Sequence, residues 1–228
     1  MLRGPDKVIE CPKCKQPARV FTLLSGNTFN ARSWTDGKRE MPMLPRPPVV
    51  TRCSKCGHFY WTLRAREIGT VPVAAIPLWE PEAEGVPDEW KKAEPVRELS
   101  ETEYFEAIAA GLASGREEEF LLRLLAWWAG NDPLRSRKRS RHGRRHRAPR
   151  RSAAAIANME RLLDLLDESR PDQRLMKAEI FRELGRFDEA LHLLNIKFAT
   201  PSKQAAADTI SRLAREHDTL VREIPQPD

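Results

Sequence analysis

Two cysteine pairs, Cys11-Pro12-Lys13-Cys14 and Cys53-Ser54-Lys55-Cys56, constrain this chain more than any other feature, and they hold all four of its cysteines. The C-x-x-C spacing lets one tight turn present two thiolates to a single tetrahedral ion. Pro12 suits the start of such a turn, and Gly57 supplies a position with φ > 0 where the second turn ends. Four sulfurs fill a tetrahedral shell and leave no place for water or substrate. The pattern therefore implies one structural Zn2+ on Cys11, Cys14, Cys53 and Cys56. Turn N–H groups, with Lys13, Arg52 and Lys55, offset the surplus negative charge. A thiol oxidoreductase also uses a Cys-Pro-x-Cys turn, but two pairs outside a βαβ pattern favour a metal. All four positions being filled, His58 is expected to pack beside the site as a strand residue.

Short strands are expected at 7–14 and 18–25, on either side of the first pair, and at His58–Leu63 after the second. Asp36-Gly37 is the favoured type I′ dipeptide and predicts a hairpin within 28–41. Two cysteine-bearing turns, each followed by a strand and sharing one ion, resemble the zinc ribbon family over residues 7–64. The 38 residues between the pairs exceed the usual spacing of about 15–20, so the insertion carries whatever is distinctive here.

The net charge of +6 comes from one place. Residues 135–151 hold ten Lys/Arg and no acid, and without them 29 bases face 33 acids, a balance of −4. That run has no apolar period and its like charges repel, so a disordered loop is expected over 131–152. Residues 69–99 carry five prolines and seven acids and read as a linker without regular structure, with Trp79 and Trp90 pinning it to a neighbouring surface. The longest apolar run, Val71–Trp79, is nine residues with two prolines, against the roughly twenty a membrane span requires. With no apolar leader at the start and cysteines in zinc spacing, a reducing, cytoplasmic setting is expected.

Helical text starts at Ser100, where Ser100-Glu101-Thr102-Glu103 forms a capping box. Helices are expected from there to about Leu112, from Arg116 to Ala129, from Ser152 with a stripe of Ile156, Met159, Leu162, Leu163 and Leu166, and from Pro201 to about Arg222 with His217 on the apolar face. Gly130-Asn131-Asp132-Pro133 is expected to end the second. Gly185 is expected in a left-handed turn, whereas Gly111 is expected to tolerate a side chain. Ala178, Phe181, Gly185, Phe187 and Ala190 resemble a tetratricopeptide repeat over roughly 170–198, departing from it at Arg174, Lys177 and Lys197. A single repeat cannot bury its own face and must pack on other helices.

The expected fold is thus α+β: a small antiparallel zinc ribbon (1–68), a linker (69–99) and a tetratricopeptide-like helical domain (100–228). No catalytic set is visible: the chain lacks a glycine-rich phosphate loop, an H-E-x-x-H motif and a serine elbow. The leading expectation is a non-enzymatic adaptor with a protein partner, followed by a nucleic-acid- or ribosome-associated protein and then an enzyme with an unrecognised pocket. Nucleic acid would be held by Arg32, Trp34 and Arg39 in the insertion and by Arg135, Arg137, Lys138, Arg139, Arg141, Arg144, Arg145, Arg147, Arg150 and Arg151 in the basic run. The plainer alternative is that Phe29 and Trp34 cover a ribbon too small for its own core and that the run is a solvated loop.

Overall fold

The computed structural model describes residues 1–72, 85–135 and 150–225. In chain order the strands and helices are β1 (Leu2–Arg3), β2 (Asp6–Glu10), β3 (Pro17–Val20), β4 (Leu23–Ser25), β5 (Arg32–Trp34), β6 (Arg39–Glu40), β7 (Val50–Arg52), β8 (Phe59–Trp61) and β9 (Glu67–Val71). Then follow α1 (Asp88–Lys91), α2 (Glu101–Ala109), α3 (Arg116–Arg135), α4 (Ala153–Leu165), α5 (Pro171–Glu183), α6 (Phe187–Leu194), α7 (Pro201–Arg215) and β10 (Glu223–Ile224). The fold is α+β, with small antiparallel sheets and seven helices among the described residues. It divides into two compact units: residues 1–31 with 41–99, and residues 32–40 with 100–228.

In the first unit β2 is the middle strand of β3-β2-β9 and buries Val8 and Ile9. The β7–β8 pair is antiparallel, with Arg52 opposite Phe59 and Val50 opposite Trp61. The described parts of the 69–99 stretch, residues 69–72 and 85–99, are more regular than their composition predicts. They supply the end of β9, the short α1, and a segment at Pro95 that bridges in parallel to Arg19. The Arg19 N–H donates to Glu94 O, and its C=O accepts from Val96 N–H. Proline limits these pieces to a few residues but does not prevent edge pairing, where only alternate N–H groups are used. The Trp90 ring lies so close to Gly69 that a Cβ there would overlap it, so this tryptophan pins the segment as expected. Trp79 lies outside the described residues.

In the second unit α3 packs on α2 and α4, α4 on α5, and α5 on α6 and α7. Its core includes Trp127, Met159, Leu162, Ile180 and Ile210. Helix α2 opens on the capping box: Ser100 Oγ accepts from Glu103 N–H, and Glu103 Oε2 accepts from Ser100 N–H at 3.0 Å. Helix α3 does not stop before Pro133 but runs to Arg135, because its last turn is tied down by pairing between Arg135 and Asp132 at 2.8 Å. Ile156 is exposed instead of joining the α4 stripe, and Asn158 is buried, donating to Arg123 O.

Residues 32–40 of the insertion belong to the helical unit, not to the unit that holds the cysteines. Strands β5 and β6 pair as a hairpin, and β10 adds to β5 to give β10-β5-β6. The hairpin turn is not type I′. Trp34 N–H donates to Lys38 O, Gly37 N–H donates to Trp34 O, and only Gly37 has positive φ. This is a three-residue loop whose last residue is left-handed.

Three helices end the same way. After α2, α5 and α7 the backbone turns left-handed at Gly111, Gly185 and His217, and each C-terminus is sealed by a 6→1 bond: Leu112 to Ala107, Arg186 to Phe181, Asp218 to Leu213. His217 is therefore not on a helix face. It sits past α7 and stacks on Phe187, with ring centroids 4.6 Å apart. Leu220 and Ile224 likewise lie beyond the helix, Ile224 in β10. Gly111 has the same left-handed φ as Gly185, 72° against 81°, so the expected difference between them disappears. Gly111→Val and Gly185→Val should each cost about 1–2 kcal/mol, equal within error in urea melts of the helical unit. A tolerated Gly111→Val would show that the α2 terminus relaxes without loss.

Candidate metal centre

The two cysteine turns share one hydrogen-bond pattern. Lys15 N–H donates to Cys11 O and Cys11 N–H to Gln16 O; Gly57 N–H donates to Cys53 O and Cys53 N–H to His58 O, all at 2.9 Å. The residue after each second cysteine is left-handed, Lys15 with φ 62° and Gly57 with φ 71°. Each turn thus points two Sγ atoms to one side. Nothing in the sequence signals the strained Lys15, since the first pair lacks the glycine that marks the second. His58 is exposed and lends only its backbone C=O, so the expectation that it packs beside the site does not hold.

The four Sγ atoms all lie within 4.8 Å of one another, with Cys14–Cys53 at 3.5 Å and Cys11–Cys56 at 3.8 Å. Four sulfurs about 2.3 Å from a tetrahedral centre stand about 3.8 Å apart, so the cluster has the dimensions of a four-sulfur metal site. Ile9, Tyr60, Ala18 and Val96 pack around it. Burial pushes the Cys11 thiol up to about 12, against the pull of the Cys14 and Lys13 N–H groups. Burial, then the four cysteines, pushes the Tyr60 hydroxyl up as well. Thiolates in a cluster half closed to water need a cation to replace the lost hydration, so an ion held here would stabilise the folded form of this unit.

Of the residues considered for nucleic acid, the structure brings together Arg32, Trp34 and Arg135. Trp34 is 3% exposed, packed on Leu134, Leu220 and Val221, with the Arg32 and Arg135 guanidinium carbons 5.6 and 5.1 Å from its ring. It covers helical-unit core and is not a surface for base stacking. Nor do Phe29 and Trp34 jointly cover a ribbon, because Phe29 is 73% exposed. Arg32 pairs with Glu40 at 3.0 Å, and Arg39 and Arg150 are exposed. The ends of the basic run are ordered parts of the fold: Arg135 closes α3, and Arg151 pairs with Glu183 at 2.6 Å. Arg137, Lys138, Arg139, Arg141, Arg144, Arg145 and Arg147 lie outside the described residues.

Those two arginines expose what sequence reading missed, a buried ion network in the helical unit. Asp36, fully buried, accepts from both Arg135 NH groups at 2.6 and 3.1 Å and from Asn131 Nδ2 at 2.9 Å. Asn131 also donates to Glu183, which accepts from Trp127 Nε1 and Arg151 as well. Burial pushes the Glu183 carboxyl up to about 7 against the pull of Arg151. Glu179 and Arg182, both fully buried, form a second pair, with Arg182 donating on to Leu220 O at 2.9 Å and to Asp218 O. The only sequence signal was a lone Asp-Gly far from any helix.

Two clefts border these groups. One, of about 280 Å³, lies beside the cysteines and is lined by Tyr60, Thr51, Arg52 and Arg97 among others. The second, of about 180 Å³, is lined by Arg151, Glu183, Leu134 and Ile156 among others. Both fall below the range of roughly 300–1,000 Å³ usual for small-molecule sites. No helix among the described residues is long and apolar enough to cross a membrane. No known protein family, no curated protein and no solved structure matches this chain.

Removing one partner of a buried ion pair leaves an uncompensated charge and costs about 3–5 kcal/mol. Asp36→Ala should therefore lower helical-unit stability by about that much, while Asp36→Leu with Arg135→Met should cost clearly less; additive losses in denaturant titrations would refute the coupling. Glu119 offers a pH test. Arg161 and Arg123 bond its carboxylate, at 2.9 Å each, and hold it down to about 2. A depressed carboxylate stabilises above its unfolded value of about 4.5 and loses that contribution as pH falls toward 2. The melting-temperature gap between parent and Glu119→Gln should close over that window, and a gap independent of pH would count against the ion pairs.

Proposed function

We propose that this chain is a cytoplasmic, non-enzymatic binding protein that works by protein–protein contact. In this reading the first unit is a zinc ribbon held by one structural Zn2+, and the helical unit presents a tetratricopeptide-like pair, α5 and α6. The observation that carries it is the four-sulfur set, whose occupant has no open coordination position for water or substrate and so holds the fold instead of reacting. Soft tetrahedral sulfur ligation favours Zn2+ among abundant divalent ions. Support for the helical reading comes from Ala178 and Ala190, both fully buried, with the left-handed Gly185 between their helices. The acidic and basic side chains deepest in this unit are paired, Asp36 with Arg135 and Glu179 with Arg182, and serve packing.

Metal analysis should find one zinc per chain, and Cys53→Ser should lose it, unfolding the first unit while the helical melt persists. Affinity purification should retain a stoichiometric protein partner after nuclease treatment. Gly185→Val, with zinc content intact, should release that partner. Zinc-free protein would overturn the metal assignment, and a partner lost to nuclease would overturn the adaptor reading.

A further inference from the structure

Arg135 and Arg182, both with buried guanidiniums, leave no nitrogen idle. Arg135 donates from Nε to Asp132 and from Nη1 and Nη2 to Asp36. Arg182 donates from Nε and Nη2 to Glu179, from Nη2 also to Leu220 O, and from Nη1 to Asp218 O. Arg151 differs. Its side chain is 15% exposed, yet both of its bonds, to Asn131 Oδ1 at 2.8 Å and to Glu183 Oε2 at 2.6 Å, come from Nη2 alone. Its Nε and Nη1 have no partner among the described residues. A guanidinium carries five N–H donors, and donors withdrawn from water without an acceptor are costly.

Position explains the difference. Arg151 stands just ahead of Ser152, the N-cap of α4, and from there it reaches Asn131 on α3 and Glu183 on α5 with one edge only. Arg151 also lines the cleft of about 180 Å³, together with Thr219, Leu134, Leu184, Leu220 and Ile156. The Thr219 hydroxyl has no partner among the described residues either. Ile156, left out of the α4 stripe and 42% exposed, adds an aliphatic wall that the core does not use. The cleft thus sets unmet donors beside branched aliphatic side chains.

Charge decides which acceptor suits those donors. Arg151 already answers Glu183, and burial pushes the half-buried Glu101 carboxyl up against the pull of the same arginine. Glu101 bonds to nothing among the described residues. Arg135 and Arg182 are committed to Asp36 and Glu179. A ligand carboxylate would be a third acid around one guanidinium, whereas a neutral carbonyl accepts from the same N–H groups without that repulsion.

We propose that this cleft binds a small neutral ligand joining one carbonyl to one branched aliphatic group, with the carbonyl on Arg151 and Thr219 and the aliphatic group among Leu134, Leu184, Leu220 and Ile156. A free amide of a branched acid and a leucine residue within a peptide share that chemistry. The site lies within the helical unit, is separate from the cysteines, and stands whether or not the adaptor reading holds.

NMR titration of the full-length chain tests this at the arginine itself. The Arg151 Nε–H signal is identified by its absence from Arg151→Lys, and the Thr219 amide is the second reporter. Isocaproamide should shift both saturably. It should bind at least about tenfold tighter than acetamide, which lacks the branched group, and than isocaproate, its ionised counterpart. N-acetyl-leucine methylamide, against its alanine analogue, presents the same group within a peptide. Tighter binding of the leucine compound than of isocaproamide assigns the cleft to a partner's leucine, and the reverse order assigns it to a free ligand; either result supports the site. Thr219→Val should weaken binding about fivefold. Ile156→Trp, a change at an exposed position on the cleft wall, should abolish the shifts while the helical melt persists. The proposal is overturned if no neutral probe moves either signal, or if acetamide or isocaproate binds as tightly as isocaproamide. It is equally overturned if Thr219→Val and Ile156→Trp bind as the parent does.

Discussion

Both units of this protein are arranged around buried negative charge that must be neutralised within bonding distance. A carboxylate or thiolate taken out of water loses hydration worth far more than any single packing contact, so it persists only beside a cation or several donors. In the helical unit the burden falls on Asp36, Glu179 and Glu183, and three arginines, Arg135, Arg182 and Arg151, answer them. In the first unit it falls on four sulfurs, and the protein's own cations lie outside the cluster. The four sulfurs lie close enough to hold an ion, which would complete the same arithmetic there.

This constraint explains why the insertion between the cysteine pairs folds where it does. The β5–β6 hairpin brings Asp36 to Arg135 and Asn131, and Trp34 to Leu134 and Leu220. It is a carboxylate delivered to helix α3 on a short ribbon, closed by Gly37 and steadied by β10. The chain leaves one unit, contributes nine residues to the other and returns. The two ends of the basic run are fixed by the same network, since Arg135 and Arg151 both reach Asn131 or the acids it bridges.

Much of the local structure was legible because it depends on neighbours in sequence. The paired C-x-x-C turns, the capping box at Ser100, the helix starts at Ser152 and Pro201 and the break at Gly185 rest on contacts within a few residues. The four-cysteine cluster was legible for the same reason: each turn assembles half of it alone. Lys15 shows the limit, because a lysine in the left-handed region leaves no mark in composition. So does Gly111, whose role as a helix terminator looked identical to that of a tolerated surface glycine.

What the sequence by itself determined, then, is the set of pieces: four sulfurs in two matched turns, amphipathic helices with their caps, and an excess of cations in one run. What only the tertiary structure decided is which piece belongs to which core. Trp34 reads in sequence as cover for a small cysteine-bearing domain, or else as a base-stacking ring, yet it is buried in the helical unit. Asp36 reads as a turn residue, yet it is the acceptor for Arg135. Helix α3 passes Pro133 and ends on Arg135, which bonds the neighbouring Asp132 and also the distant Asp36 that no local pattern announces. The physical reason is range. Turns and caps are fixed by bonds between residues three to six apart, whereas a buried charge finds its partner across ninety-nine residues of chain, and no local pattern records which one it will be.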